Sequence, residues 1–186
     1  TGATQATPCG PGTVQPSEQQ PTCAACDAGT FMNASGQTAC FSCPPASFCE
    51  AGASAPLPCL EGTYSSTPAL GSSEQCTACP PGSACSTGSL IPTPCSPGTV
   101  QPQERQGTCA KCEAGKFMAA SGATACVECV SGSFCEEGAS AALPCSVGTF
   151  SSEPGLESAE QCIDCPEGSF CSAGALSPTP CSAGTV

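Results

Sequence analysis

Cysteine is the residue type whose spacing could carry chemistry in this sequence. The chain has 186 residues, of which 21 are cysteine and none is histidine. Closely spaced cysteines serve as structural disulfides, as thiolate ligands of zinc, or as redox-active Cys-x-x-Cys pairs. The spacing of a four-thiolate zinc site occurs twice, at Cys23, Cys26, Cys40 and Cys43 and again at Cys109, Cys112, Cys126 and Cys129. We favour disulfides, because the remaining cysteines recur just as strictly and neither a zinc site nor one activated thiolate would use them.

The cysteines follow a repeat of 86 residues. The ten cysteines from Cys9 to Cys85 are followed by ten more, each 86 positions later, and Cys181 lies 86 positions after Cys95. Self-similarity at a fixed period is typical of repeat proteins. We therefore expect the end of a preceding repeat at 1–8, cysteine-rich repeats at 9–94 and 95–180, and the start of a following repeat at 181–186.

Each repeat is built from smaller units. Seven cysteines open a Cys-x-x-Gly turn that leads into Thr or Lys and then an aromatic residue or valine, as in 59–64. Glycine permits the turn, and the residues after it favour a short strand. Frequent proline and the absence of helical periodicity argue against helices of normal length. The sequence predicts a small disulfide-rich fold, an elongated tandem array of short β-ribbon and loop modules with no helices of note.

Composition and charge exclude several classes of function. Leu, Ile, Val and Phe together number only 22, so cross-links must replace much of the apolar core. Without histidine there is no Ser-His or Cys-His catalysis, and we expect neither an enzyme, a metal site nor a cofactor. The chain has fifteen acidic residues and only three basic ones, Arg105, Lys111 and Lys116. Because binding of nucleic acid needs clustered basic residues, this composition excludes nucleic acid as a partner. No apolar run approaches the ~20 residues of a membrane span, so we expect no direct membrane insertion.

Two stretches carry a resemblance to a known module type. Cys79-Pro-Pro-Gly-Ser-Ala-Cys85, followed by Pro94-Cys95-Ser-Pro-Gly-Thr-Val100, resembles the cysteine-rich ephrin-receptor-like repeats. These repeats are similar in style to EGF-like and tumour-necrosis-factor-receptor-like modules. The resemblance implies an extracellular, disulfide-bonded, elongated array in a cell-surface or secreted protein, and it implies no common catalytic site.

For the disulfides we predict sequential pairing, in which each Cys-x-x-Gly turn closes on the next cysteine. The main rival interlaces neighbours, with bonds Cys43–Cys59 and Cys49–Cys76, and sequence alone leaves that choice open. The sequential pairs are Cys9–Cys23, Cys26–Cys40, Cys43–Cys49, Cys59–Cys76, Cys79–Cys85, Cys95–Cys109, Cys112–Cys126, Cys129–Cys135, Cys145–Cys162 and Cys165–Cys171. Cys181 is then expected to pair with a residue beyond the sequence.

Two further features concern the surface. Asn33-Ala34-Ser35 is an N-glycosylation sequon, and we expect a glycan on Asn33, whereas the second repeat has Ala119 in place of Asn33. Only four positions are acidic in both repeats, although every cysteine is kept, and these are Glu18/Glu104, Asp27/Glu113, Glu50/Glu136 and Glu74/Glu160. We interpret the acidic side chains as a solvated, solubilising surface rather than a site.

The leading functional hypothesis is an extracellular structural protein, a disulfide-stapled repeat rod in a cell-surface fibre, coat or appendage. Its expected partners are other protein chains of that assembly, possibly itself, and glycans. The alternative is a receptor or adhesion ectodomain that binds a protein partner through its repeats. A cysteine array that keeps its spacing while its surface varies favours the structural hypothesis.

Overall fold

The computed structural model describes residues 7–18, 20–182 and 184, so the expected end segments 1–8 and 181–186 lie largely outside the described residues. The described chain consists of two-residue strands, turns and bends, with two 3₁₀ turns at Ser73–Gln75 and Ala159–Gln161 and no α-helix. This confirms the expected small disulfide-rich fold of repeated β-ribbon modules.

Within the described residues, twenty strands form ten two-stranded ribbons. Each odd-numbered strand pairs with the even-numbered strand that follows it. The strands are β1 (Thr13–Val14), β2 (Ala24–Ala25), β3 (Thr30–Phe31), β4 (Phe41–Ser42), β5 (Ser47–Phe48), β6 (Leu57–Pro58), β7 (Thr63–Tyr64), β8 (Thr77–Ala78), β9 (Ser83–Ala84), β10 (Thr93–Pro94), β11 (Thr99–Val100), β12 (Ala110–Lys111), β13 (Lys116–Phe117), β14 (Val127–Glu128), β15 (Ser133–Phe134), β16 (Leu143–Pro144), β17 (Thr149–Phe150), β18 (Ile163–Asp164), β19 (Ser169–Phe170) and β20 (Thr179–Pro180).

Where threonine begins the first strand of a ribbon, the turn before it is fixed by the threonine side chain as well as by the backbone. In β7, the hydroxyl of Thr63 donates to the carbonyl oxygen of Leu60 at 2.7 Å, and the Thr63 N–H donates to the same oxygen at 3.0 Å. The hydroxyls of Thr13 and Thr149 make the equivalent bonds. A Thr after the turn glycine therefore holds the turn closed and starts a strand, for which its branched side chain is suited.

Contacts divide the chain into two compact units. The first comprises the chain up to Cys79 together with Cys85–Thr93 and Arg105–Gly107. The second comprises Pro80–Ala84, Pro94–Glu104 and the chain from Thr108 onward. Each unit contains the same kinds of ribbon, turn and disulfide.

Cystine takes the place of a conventional hydrophobic core. The most deeply buried side chains are Met32 and eleven cysteines, each less than 2% exposed. Two small apolar clusters lie in the first unit. One joins Phe48 and Leu70 to Cys59 and Cys76. The other joins Val14 and Met32 to Cys26.

Candidate functional site: the disulfides and the joints between modules

The structure contains ten disulfides, and each joins a cysteine to the next cysteine in the sequence. Their Cα–Cα distances lie between 5.7 and 5.9 Å, within the normal range for disulfides. The bonds are Cys9–Cys23, Cys26–Cys40, Cys43–Cys49, Cys59–Cys76, Cys79–Cys85, Cys95–Cys109, Cys112–Cys126, Cys129–Cys135, Cys145–Cys162 and Cys165–Cys171. Cys181 forms no disulfide and is exposed.

The four cysteines with zinc spacing are distributed over three disulfides. Cys26 is bonded to Cys40, whereas Cys23 and Cys43 are bonded to cysteines outside the set. The two members of each Cys-x-x-Cys pair therefore belong to different disulfides. Among the described residues, no group of three or more Cys, Asp or Glu side chains could hold a metal ion.

The bonds fall into two classes, which place the second cysteine at different points of a ribbon. In the short class, such as Cys43–Cys49, the bond spans six residues and the second cysteine follows the first strand. In the long class, such as Cys59–Cys76, it spans 14 or 17 residues and the second cysteine precedes the second strand. The structure forms these two bonds and not the interlaced Cys43–Cys59.

We call a module the segment from one opening cysteine to the residue before the next opening cysteine. The opening cysteines are Cys9, Cys26, Cys43, Cys59, Cys79, Cys95, Cys112, Cys129, Cys145 and Cys165, and Cys181 occupies the next such position. The third residue after an opening cysteine is the turn residue. The carbonyl oxygen of each turn residue accepts the N–H of the next opening cysteine. Examples are Gly29 with Cys43 at 2.9 Å and Gly115 with Cys129 at 2.8 Å. This bond closes one ribbon and starts the next module.

Neighbouring modules within each unit are joined by two further backbone hydrogen bonds. The N–H of the turn residue donates to a carbonyl oxygen of the next module, as Gly12 does to Met32 at 2.7 Å. The carbonyl oxygen of the opening cysteine accepts an N–H from the next module, as Cys9 does from Gly36 at 2.8 Å. We call this donor the joint residue. The joint residues are Gly36, Gly52, Ala69, Gly88, Arg105, Gly122, Gly138, Gly155 and Gly174.

Seven of the nine turn glycines also lie against the second module along, whereas Gly148 and Gly168 have no atom close to a built Cβ. A Cβ built on Gly12 would overlap the carbonyl oxygen of Gly52, and one built on Gly98 would overlap that of Gly138. A Cβ on Gly115 would lie 2.6 Å from the carbonyl oxygen of Gly155. Real Cβ atoms do not approach an oxygen so closely. Glycine at the turn therefore serves the φ angle and also the contact between backbones.

The joint residues all have positive φ angles, which L side chains rarely adopt. Seven of the nine are glycine, but Ala69 and Arg105 have φ angles of 60°. The turn residue Ala46 is a third exception, with a φ of 62°. In each case the backbone hydrogen bonds of the joint are kept, for example from Ala69 to the carbonyl oxygen of Cys43 at 2.8 Å.

The joint residues were not predicted from the sequence. Their partners are backbone carbonyl groups, which every residue carries, so no side chain marks the contact. One signal was present, because glycine recurs nine or ten positions after an opening cysteine, as at Gly36 and Gly52. Arg105 carries no such signal, since its side chain suggests an exposed loop rather than a left-handed backbone.

The charged residues lie at the surface. Lys111 pairs with Glu137 at 3.3 Å, and Lys116 pairs with Glu113 at 3.1 Å. All four side chains are about half exposed or more. Such pairs contribute at most ~1 kcal/mol and are screened by salt.

A cavity of about 720 Å³ lies within the first unit, beside the loop that the Cys9–Cys23 disulfide closes. Side chains of Gln15, Glu18, Gln20 and Gln37 contribute to its wall. These amides and the one carboxylate can exchange hydrogen bonds with a ligand. The Gln15 amide is already used within the loop, because its Nε2 donates to the carbonyl oxygen of Thr22 at 2.7 Å.

Asn33, the sequon asparagine, lies after strand β3 and just before the bend at residues 34–36. Residues 33–39 are all exposed. Its counterpart Ala119 is exposed at the same point of the second unit.

Comparison with protein-family models and with curated protein sequences finds no match for the chain. No helix among the described residues is both long enough and apolar enough to cross a membrane. Ten disulfides in a chain of this size are typical of extracellular proteins.

Proposed function

We propose that the protein is extracellular and structural, a disulfide-stapled repeat rod that forms part of a cell-surface fibre, coat or appendage. Its partners are other chains of that assembly. The modules are proposed to be relatives of the ephrin-receptor-like repeats, as their Cys-Pro-Pro-Gly-Ser and Gly-Thr-aromatic sequences suggest.

The observation that carries the proposal is the way in which modules are joined. In both units the joints consist of backbone–backbone hydrogen bonds between a turn residue, an opening cysteine and a joint residue. Because backbone groups are present at every position, surface side chains can vary without changing the joint. A geometry that is kept by the backbone and by cystine suits a protein whose job is to hold a shape.

The disulfides support the extracellular location. A chain with 20 of its 21 cysteines in disulfides needs an oxidising compartment in which to fold. A net charge of −12 also keeps such a chain soluble at high local concentration.

Immunogold electron microscopy tests this proposal. Antibodies against the folded chain, applied to intact cells that make the protein, are expected to label an extracellular fibre, coat or appendage. Pre-immune serum and antibody absorbed with the purified chain are the controls. Diffuse labelling of the plasma membrane without any such structure would favour a receptor or adhesion ectodomain instead. Label that appears only after cells are opened would contradict both.

A further inference from the structure

The sequon at Asn33 lies where the chain leaves a fixed ribbon and becomes fully accessible. The preceding residue, Met32, is completely buried, and its N–H donates to the carbonyl oxygen of Ala53 at 3.1 Å. Three residues after Asn33, the N–H of Gly36 donates to the carbonyl oxygen of Cys9 at 2.8 Å. Between these anchors, Asn33, Ala34 and Ser35 are exposed.

The side chain of Asn33 is available for modification. Within the part of the chain that the structure describes, this side chain makes no hydrogen bond, ion pair or ring contact. The carbonyl oxygen of Ser35 accepts a bond from the Nε2 of Gln37 at 3.3 Å, which leaves the Ser35 hydroxyl exposed. The two side chains that define a sequon are therefore both accessible in the folded protein.

We propose that Asn33 carries an N-linked oligosaccharide. This inference rests on the proposed extracellular location, because the glycan is added in the secretory pathway, where disulfides also form. The donor is an oligosaccharide linked through diphosphate to a polyisoprenyl lipid. The amide nitrogen Nδ2 forms a bond to C1 of the first sugar, the bond between C1 and the diphosphate oxygen breaks, and the amide gives up one proton. The lipid diphosphate is the leaving group.

The repeat that has the sequon also has an aromatic pair beside it, and the repeat that lacks the sequon lacks the pair. Phe31 and Phe41 face each other across strands β3 and β4, with ring centroids 6.0 Å apart, and Phe41 is 56% exposed. In the second repeat, which lacks the sequon, Val127 takes the place of Phe41. Phe31 is half-buried and Phe41 is exposed, so the ring of Phe41 offers a surface on which the apolar face of a sugar ring can pack. Because Asn33 follows Phe31 by two residues, we expect the first sugar of the glycan to cover the ring of Phe41.

The second repeat provides a matched control. Gly122, the counterpart of Gly36, donates its N–H to the carbonyl oxygen of Cys95 at 2.8 Å, so the loop there is anchored in the same way. Residues 119–121 are Ala-Ala-Ser and are exposed. The substitution Ala119→Asn therefore places a sequon on an equivalent loop, whereas Asn33→Gln removes the natural one.

The test is mass spectrometry of the full chain secreted from eukaryotic cells, before and after treatment with a peptide N-glycosidase. We expect one glycan on the natural chain, none on Asn33→Gln and two on Ala119→Asn. Unmodified Asn33 in a secreted chain with ten disulfides would overturn this proposal and leave the proposed function standing. A chain that reaches the medium only with free thiols would instead contradict the proposed function. Modification at Asn33 but not in Ala119→Asn would refute the argument from loop geometry.

Hydrogen exchange tests the contact with the aromatic pair. Removing the glycan is expected to speed exchange of the backbone N–H groups of β3 and β4 several-fold in the natural chain. In the variant Phe41→Val, which copies the second repeat, the same treatment should leave these rates unchanged. Equal effects of deglycosylation on both chains would show that the sugar does not cover Phe41.

Discussion

The ribbon that begins at Cys43 in the first unit and the one that begins at Cys129 in the second unit occupy the same place in the repeat. They differ in the residue at the turn and in the joint residue that the next module contributes. Ala46 and Ala69 in the first unit have φ angles of 62° and 60°, whereas the second unit has glycine at both, with φ angles of 75° and 74°. Alanine in the left-handed region costs roughly 1–2 kcal/mol relative to its normal conformations.

The ribbon with the less favourable backbone conformations is the one whose neighbouring side chains are more deeply buried. In the first unit Leu70 and Cys76 are 8% and 6% exposed, and they form a cluster with Phe48. In the second unit their counterparts Leu156 and Cys162 are only half-buried. Deeper burial around the Cys59–Cys76 disulfide therefore accompanies the two left-handed alanines. The backbone joint is kept at both places, whichever residue occupies it.

The largest effect should come from reduction of the disulfides, which would remove the difference between the ribbons altogether. Neither unit has an apolar core that could hold its ribbons without cystine, so both should unfold when dithiothreitol breaks the bonds. Treatment with EDTA should leave the fold intact. Hydrogen exchange followed by mass spectrometry measures both outcomes. Protection that survives reduction but is lost with EDTA would show that metal ions hold the fold.

The next largest effect on stability should come from removing one of two matched disulfides, one in each unit. Cys59–Cys76 and Cys145–Cys162 both span 17 residues, so the restriction that they place on the unfolded chain is the same. Replacing either pair with serine should cost about 2–5 kcal/mol. The first pair should cost about 1 kcal/mol more, because Cys76 and Leu70 are more deeply buried. Protection of the Cys49 and Cys135 N–H groups measures the two costs, and equal costs would contradict this view of the cluster.

A smaller effect is expected from alanine at the turn position of the second unit. Gly132→Ala combines a left-handed φ with overlap between the new Cβ and the carbonyl oxygen of Gly174, so we expect a loss of about 2–4 kcal/mol. Gly148→Ala is the control. Gly148 has a φ of 90° with no atom within 4 Å of a built Cβ, so only the conformational cost of about 1–2 kcal/mol applies. Equal losses would show that the approach of the two backbones does not matter.

The smallest effect should come from restoring glycine in the first unit. Ala46→Gly and Ala69→Gly each relieve a left-handed alanine, but glycine also increases the entropy of the unfolded chain by about 0.4–1 kcal/mol. We therefore expect each variant to be more stable by about 1 kcal/mol or less. Hydrogen exchange at the joint N–H groups gives the change. A loss of stability would mean that the two methyl groups contribute more to packing than their conformation costs.

Much of the fold follows from local sequence. A Cys-x-x-Gly turn with Thr after it determines a short strand, as at Gly62 and Thr63, and the regular spacing of cysteines makes sequential pairing possible. The joints could not be predicted in this way, because they link backbone groups of different modules. Arg105 shows the limit most clearly, since its left-handed conformation accompanies a hydrogen bond from its N–H to the carbonyl oxygen of Cys79 in the preceding module. The same residue at equivalent positions of the two repeats can also differ in burial. Met32 is fully buried, whereas its counterpart Met118 is half-buried.

The fold consists of ribbons that are stapled by sequential disulfides. The most direct measurement is the disulfide map of the protein purified from the cells that make it. Stepwise partial reduction with alkylation, followed by mass spectrometry, can separate neighbouring bonds even within Cys-x-x-Cys pairs. We predict Cys43–Cys49 and Cys59–Cys76, with the equivalent bonds 86 residues later. Finding Cys43–Cys59 and Cys49–Cys76 instead, or bonds within Cys-x-x-Cys pairs, would contradict the account.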